Sequence, residues 1–171
     1  MNYPFPENWP QFFTATMHGW KHLLEEDRYK NIIIGSLRFL KEQSRIKLNA
    51  YVIMSNHVHF IWQALYGHDL RDVQASFAKH TSKEFLKLLS AEKALKKYEV
   101  DAADRQHAFW KRNPLGTELF TPAVFYQKLD YIHNNPVRAG LCKYAEEYNY
   151  SSALYCHTGK DETGLLEHWA A

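Results

Sequence analysis

The chain has 171 residues, a length that suits one compact domain and leaves little room for a second. Hydrophobic residues make up 46% and charged residues 23%, which excludes a disordered chain and predicts a buried core. The net charge of +2 excludes a surface that is basic throughout, so a site for a polyanion has to be a local cluster of cations.

Targeting and membrane patterns are missing from the sequence. Residues 1–6 lack a basic segment followed by an apolar run, so we expect no signal peptide. No apolar stretch approaches the ~18 residues that suggest a membrane span. Cys142 and Cys156 form neither a CxxC motif nor a disulfide framework, which favours a reducing cytoplasm.

Apolar spacing predicts an alternation of strands and helices, since strands repeat every two residues and helices every three or four. In chain order we predict a strand at 11–18, a helix at 27–43, strands at 47–54 and 57–63 joined by a turn at 55–56, a helix at 69–90, a strand, turn and short strand within 108–120, and a helix from 121 to about 134. The charged stretch 91–107 is predicted as a helical extension or a mobile insertion. Residues 141–171 are predicted as a C-terminal appendage of a single domain spanning 1–171.

This order predicts an α+β fold with an antiparallel sheet, ferredoxin-like in topology, and helices packed over one face. The final helix begins well, because Thr121 is a good N-cap and Pro122 suits the first turn. We place its end before Pro136, because the residue that precedes a proline is disfavoured in a helix.

Two histidines lie one residue apart in the third predicted strand. Side chains alternate along a strand, so His57 and His59 share a face while Val58 points to the other. Two neutral imidazoles on one face are able to share a divalent cation. The alternative is a pair of surface or hydrogen-bonded histidines in a chain that has ten.

The last predicted helix carries a polar stripe beside an apolar one. At about 100° per residue, the polar stripe holds Gln127, Lys128, Tyr131 and Asn135, and the apolar stripe holds Phe125, Leu129 and Ile132. Tyr126 lies on a different face. An Asn oxygen suits Mg²⁺ or Mn²⁺ as a third ligand beside two imidazoles. The alternative is that Tyr131 is a packing residue at the boundary and Asn135 caps the helix.

The lysines and arginines form several local groups. Each group is more often a solvated surface than a binding site. They comprise Lys79, Lys83 and Lys87, then Lys93, Lys96 and Lys97, then Lys111 and Arg112, and finally Lys128 with Arg138.

Both motifs resemble one family. His57-Val58-His59 resembles the His-hydrophobic-His motif of single-tyrosine HUH transposases. Residues 130–141, DYIHNNPVRAGL, resemble the tyrosine segment of the REP-associated tyrosine transposases, and Tyr150-Ser151-Ser152-Ala153 resembles a further segment. The resemblance extends from the first strand to about Tyr155.

The resemblance implies an HUH-nuclease fold and a DNA nicking and strand-transfer enzyme. Tyr131 would be the catalytic nucleophile, forming a 5′-phosphotyrosine, and His57, His59 and Asn135 would hold Mg²⁺ or Mn²⁺. The implied partner is single-stranded or hairpin DNA in the cytoplasm, near the nucleoid, and the enzyme would act as a monomer or a homodimer. Candidate helper or DNA-binding residues are Gln127, Lys128, Lys111, Arg112 and Arg138.

Three other functions compete with this one. The first is a DNA-binding protein of the same fold that does not cut. The second is a zinc-type hydrolase that uses His57 and His59 to activate water, although no further His, Asp or Glu stands close to the pair in sequence. The third is a purely structural interaction protein, which leaves both motifs unexplained.

Overall fold

The structure is a computed structural model that describes residues 8–169, so the segment 1–6, for which no signal peptide is expected, lies outside the described residues. The strands are β1 (Gln11–Thr16), β2 (Ile46–Ile53), β3 (His57–Ala64), β4 (Glu99–Ala102), β5 (Arg105–His107) and β6 (Leu115–Glu118). The α-helices are α1 (Asp27–Glu42), α2 (Leu70–Ala91), α3 (Pro122–Arg138) and α4 (Ala153–Thr158). None of the described helices is both long and apolar enough to cross a membrane.

Four of the strands form one antiparallel sheet in the order β2-β3-β1-β6. This order and the alternation of helices and strands confirm the predicted α+β, ferredoxin-like fold. The β2–β3 hairpin is confirmed as well. In the central pair, Thr14 lies opposite His59 and Thr16 lies opposite His57.

One face of the sheet holds the larger core. Val58, Phe60 and Trp62 of β3 point to this face and are fully buried. They pack with apolar residues of α1 and α2, including Leu37 and Phe77. Since the apolar stripes of both helices face these strands, burial of this surface supplies most of the hydrophobic driving force.

The opposite face is covered by α3, so the prediction that the helices pack over one face is wrong. Phe125 and Ile132 of α3 are buried against Ala50, Val52 and Ile61 of the sheet. These strand residues alternate with the residues of the larger core. Because β2 and β3 are apolar on both faces, each face needs a covering layer.

Helix α3 runs through Pro136 and ends at Arg138, four residues beyond the predicted end. A proline inside a helix removes one hydrogen bond and costs about 3 kcal/mol. Tertiary contacts offset this, because Ile132, His133 and Pro136 are all buried. A hydrogen bond also holds the His133 ring, with 2.9 Å between its Nε2 atom and Ser152 Oγ.

The stretch 91–107 is not the predicted helical extension. Helix α2 ends at Ala91, and the chain continues as a 3₁₀ turn at Leu95–Tyr98 and the short β4–β5 pair. Tyr98 is buried against Phe109, with ring centroids 5.4 Å apart. The strand predicted at the start of 108–120 is reduced to a single bridge between Met17 and Trp110.

Residues beyond α3 run along the outer edge of β2. Main-chain hydrogen bonds join Ile53 to Tyr150, Ser152 to Tyr51 and Glu167 to Leu48. An unpaired strand edge is a site for unwanted pairing, and these contacts cover it. Cys142 and Cys156 are both free thiols.

Candidate active site

Both imidazoles of β3 lie under α3. The register of β1 and β3 places Thr14 beside His59 and Thr16 beside His57 on this face. His59 is 4% exposed and His57 is partly buried. Their ring centroids lie 4.9 Å apart. The two rings therefore share one recess in the sheet surface and are not free surface histidines.

A side-chain oxygen fixes each ring through its Nδ1 atom. Thr14 Oγ1 lies 2.7 Å from His59 Nδ1, and Asn56 Oδ1 lies 2.8 Å from His57 Nδ1. When Nδ1 donates to such an oxygen, the Nε2 atom carries a free lone pair. Histidines that bind metals are commonly anchored in this way.

Neither anchoring residue was predicted from the sequence. The signal for Thr14 lies in the alternation of β1, because Thr14 and Thr16 place two hydroxyl groups on the same face of an otherwise apolar strand. The signal for Asn56 is weaker, because an asparagine next to a hairpin turn is ordinary turn chemistry.

Burial keeps both rings neutral. It lowers the pKa of His57, although the hydrogen bond with Asn135 opposes the shift. Burial also lowers the pKa of His59 to about 3, with smaller contributions from His57, Lys128 and Arg138. A metal binds the neutral form of imidazole, so at neutral pH both rings are in the form that coordinates.

The third donor comes from α3. Asn135 Oδ1 lies 3.3 Å from His57 Nε2. In the tautomer in which His57 Nδ1 donates to Asn56, two acceptors face each other across this gap, an arrangement that a cation between them stabilises. Ligands at ~2.1 Å and right angles around one octahedral ion lie about 3 Å apart, so the spacing fits a shared Mg²⁺ or Mn²⁺.

Asn135 belongs to the interior of α3, since the helix is capped at Ala139. The alternative of a C-capping asparagine is therefore wrong. Within residues 8–169, no group of three or more His, Cys, Asp or Glu side chains has the spacing of a metal site.

Tyr131 lies beside the histidine pair. Its ring meets the edge of His59 at a centroid distance of 5.3 Å and that of Phe12 at 5.8 Å. It is 40% exposed, so the phenol is both fixed by packing and open to a large substrate.

Two cations flank this phenol. The Arg138 guanidinium lies 4.6 Å from the ring centroid and Lys128 Nζ lies 5.9 Å from it. Lys128 Nζ also sits 4.8 Å over the ring of Phe12. Two cations on one side of an exposed ring attract anions to it. The site therefore has the electrostatics of an anion-binding surface.

The other candidate residues lie further out. Gln127 is exposed, and within the described part of the chain its side chain makes no hydrogen bond. The Lys111 main chain donates to Thr16, next to His57 in the sheet. Arg112 is held by both oxygens of Asp104 at 2.7 Å.

The rival nucleophile Tyr126 lies on another face of α3. It is 55% exposed and packs against Trp169, away from the imidazoles.

Comparison with known proteins identifies the fold. No protein-family model and no curated protein sequence matches the chain. A REP-associated tyrosine transposase, solved in complex with a REP hairpin, superposes with a TM-score of 0.67 and 18% identity, covering 100% of this chain and 90% of that one. A Deinococcus radiodurans protein named as a candidate transposase gives 0.52 and 16%, covering 78% and 95%. At these identities the likeness establishes the fold, and the chain has the fold of the REP-associated tyrosine transposases.

Proposed function

We propose that the chain is a transposase-like enzyme that nicks and rejoins single-stranded DNA at a hairpin or palindrome, with Tyr131 as its nucleophile. One observation carries the proposal. Asn135 reaches the imidazole of His57 from 78 positions away in sequence, and it does so from the same helix that sets Tyr131 against His59. A structural role alone does not require a phenol, two neutral imidazoles and an amide to meet.

Nε2 of His57, Nε2 of His59 and Oδ1 of Asn135 would hold Mg²⁺ or Mn²⁺. Such an ion would polarise a phosphate oxygen and stabilise charge in the transition state. The absence of a third His, Asp or Glu at the pair, among the described residues, makes this donor set less suited to a hydrolytic zinc site.

The chain's own residues account for the transfer. Tyr131 Oη attacks the phosphorus, a new Oη–P bond forms, and the P–O3′ bond breaks. The phenolic proton passes to water, and the departing 3′ oxygen takes up a proton to become a hydroxyl. Lys128 and Arg138, which lie beside the Tyr131 ring, would offset the negative charge of the incoming phosphate. Attack by a 3′-hydroxyl on the phosphotyrosine reverses the step, so no other energy source is needed.

The DNA partner is argued from charge and from fold. Lys128 and Arg138 stand beside Tyr131, and the neighbour of the same fold was solved with a REP hairpin. We extend hairpin DNA to this chain as the substrate class, with action in the cytoplasm near the nucleoid. The imidazoles, amide and phenol all come from one chain, which supports a monomer as the active unit, and a homodimer with swapped helices is the alternative.

The proposal is tested by trapping the covalent intermediate. A 5′-labelled and a 3′-labelled hairpin oligonucleotide with single-stranded flanks are each incubated with the protein and Mn²⁺, then separated under denaturing conditions. We expect an adduct with the 3′-labelled strand that is lost in Tyr131→Phe. The matched control is Tyr126→Phe on the same helix, which should keep the adduct.

The other outcomes identify the competing functions. Cleavage that persists in Tyr131→Phe means that water is the nucleophile, as in a hydrolase. Hairpin binding without any cleavage means a DNA-binding protein that does not cut. Either result overturns the proposed chemistry.

A further inference from the structure

A second surface of the molecule carries unexplained positive charge. A cavity of about 680 Å³ lies between α2 and the segment 105–114. We call it the basic groove. Its lining comprises Ala78, Lys79, Ser82, Lys83 and Leu86 of α2, together with residues 105–114.

The charge of the basic groove is one-sided. Its lining includes the five cations Lys79, Lys83, Arg105, Lys111 and Arg112, and neither Asp nor Glu. The whole chain has a net charge of only +2, so this surface concentrates cations that are balanced elsewhere. A groove lined by one sign of charge focuses the field and raises the local concentration of a polyanion.

Most of these cations are not neutralised within the protein. The ion pairs of residues 8–169 include Arg112 with Asp104, but none involves Lys79, Lys83 or Lys111. Lys79 and Lys83 are one helical turn apart, where like charges repel each other. In addition, Arg105 Nε is buried without a hydrogen-bond partner. These features favour an external anion.

The groove leads towards the candidate active site. Lys111, Asn113 and Pro114 also line a smaller cavity of about 110 Å³, which Thr14 and Thr16 border from β1. Thr14 is the residue that fixes His59 at 2.7 Å. A strand whose phosphate reaches His59 and Tyr131 therefore has a cationic path along Lys111 to Lys79 and Lys83.

The floor of the groove does not present a surface for base stacking. Phe109 is 5% exposed and Trp110 is 8% exposed, and the indole nitrogen of Trp110 is bonded to Thr81. Base stacking on aromatic rings needs an open ring face. The cations at the rim are therefore the part of the groove that meets the ligand.

We propose that the basic groove binds the phosphodiester backbone of the DNA substrate on one side of the cleaved phosphate and does not read its bases. This inference rests on the proposed function, because the path begins at the candidate active site. Phosphate contacts fix the position of a strand and carry no sequence information. The groove thus holds the flanking strand while the site around Tyr131 acts on it.

The salt dependence of DNA binding tests the groove. In a Tyr131→Phe background, which prevents covalent trapping, the affinity for a labelled hairpin with single-stranded flanks is measured by fluorescence anisotropy at several salt concentrations. Lys79→Gln with Lys83→Gln removes two phosphate contacts. The slope of log K against log salt should fall in magnitude by about 1.4, and the affinity at low salt by about 10-fold.

The matched control removes the same charge elsewhere. Lys96→Gln with Lys160→Gln neutralises two exposed lysines that do not line the groove. We expect its slope to equal that of the parent. A groove variant with an unchanged slope, or a control with an equal loss, overturns the inference. A circular dichroism melt of each variant confirms that it is folded.

Two further results separate this inference from the proposed function. If the groove variant has a smaller salt slope while the protein with Tyr131 forms no adduct, the inference about the groove is supported and the proposed nuclease function is wrong. If the adduct forms but the groove variant has the same salt slope as its parent, the proposed nuclease function is supported and the inference about the groove is wrong. A flank of scrambled sequence should give the same loss, and a loss confined to one sequence contradicts binding to the backbone alone.

Discussion

The two faces of the four-stranded sheet use the same strands differently. On the face covered by α1 and α2, Val58, Phe60 and Trp62 are fully buried among other apolar side chains. On the face covered by α3, the intervening positions of β3 begin with His57 and His59, and the covering helix leaves Tyr131 40% exposed. The face under α1 and α2 is therefore fully covered, whereas the face under α3 is open to solvent at the candidate site.

This difference shows how a small chain holds the side chains of the candidate site in place. The imidazoles sit on a strand whose other side is locked into the larger core. A site built on a rigid strand and helix is positioned more accurately than one built on loops. The closed face is therefore expected to determine stability, and the α3 face to determine metal binding and chemistry.

The largest expected effect is on stability, from a substitution in the closed face. Phe60→Ala should lower the free energy of unfolding by about 3–5 kcal/mol, because a fully buried ring leaves a cavity. Phe12→Ala on the α3 face should cost only about 1–2 kcal/mol, because that ring is partly exposed. Urea unfolding of both variants measures the contrast, and equal losses would remove the distinction between the faces.

The next effect is on metal affinity. Thr14→Val keeps the shape of the side chain but removes the oxygen that anchors His59. Loss of such an anchor should weaken Mn²⁺ binding by about 10-fold to 100-fold, as measured by isothermal titration calorimetry. Thr14→Ser restores the hydroxyl and should restore the affinity. If Val and Ser bind Mn²⁺ equally well, Thr14 has no positioning role.

A smaller effect is expected from pH. Burial lowers the pKa of His133 to about 4, below the ordinary value of 6.5. Between pH 6.5 and pH 4, His133 is protonated in the unfolded chain but neutral in the folded chain. The free energy of unfolding therefore falls as the pH drops from 6.5 towards 4. This histidine should account for up to about 2 kcal/mol between pH 7 and pH 5. Thermal unfolding of His133→Gln should show a shallower fall than the parent, and parallel curves would exclude this origin.

The smallest effect is on the rate of cleavage. Lys128→Ala removes a cation 5.9 Å from the Tyr131 ring, a distance at which the Coulomb energy in a solvated site is roughly 1 kcal/mol. We expect DNA cleavage to slow by about threefold to 10-fold, with Mn²⁺ binding retained. Lys96→Ala, at an exposed lysine outside the candidate site, should leave the rate unchanged. An unchanged rate in Lys128→Ala would remove that residue from the chemistry.

Local patterns predicted much of the fold. The alternation of β3 and the helical spacing of α3 placed His57, His59, Tyr131 and Asn135 on their faces, because these periodicities depend only on backbone geometry. The β2–β3 hairpin followed from the turn at 55–56 in the same way. What these patterns leave open is which elements pack together.

The failures depend on tertiary contacts. The helix was predicted to stop before Pro136, yet burial of Ile132, His133 and Pro136 outweighs the local preference of proline. The position of α3 on the second face follows from the packing of Phe125 and Ile132 against the sheet, a contact between distant segments that no local period encodes. The Thr14–His59 contact depends on the register of β1 against β3, which no single strand encodes.

Paramagnetic relaxation by Mn²⁺ gives the most direct test of the central claim, that α3 brings Tyr131 to a cation held by β3. Tyrosine ring signals are followed by NMR at substoichiometric Mn²⁺, with Tyr131 assigned by Tyr131→Phe. Tyr66, which is 88% exposed beyond the far end of β3 and lies roughly 25 Å along the strand from His57, is the reference. We predict that the Tyr131 signal is lost while that of Tyr66 persists, and that His59→Ala protects Tyr131. Equal broadening of both tyrosines, or loss of the Tyr131 signal in His59→Ala as well, would contradict the account.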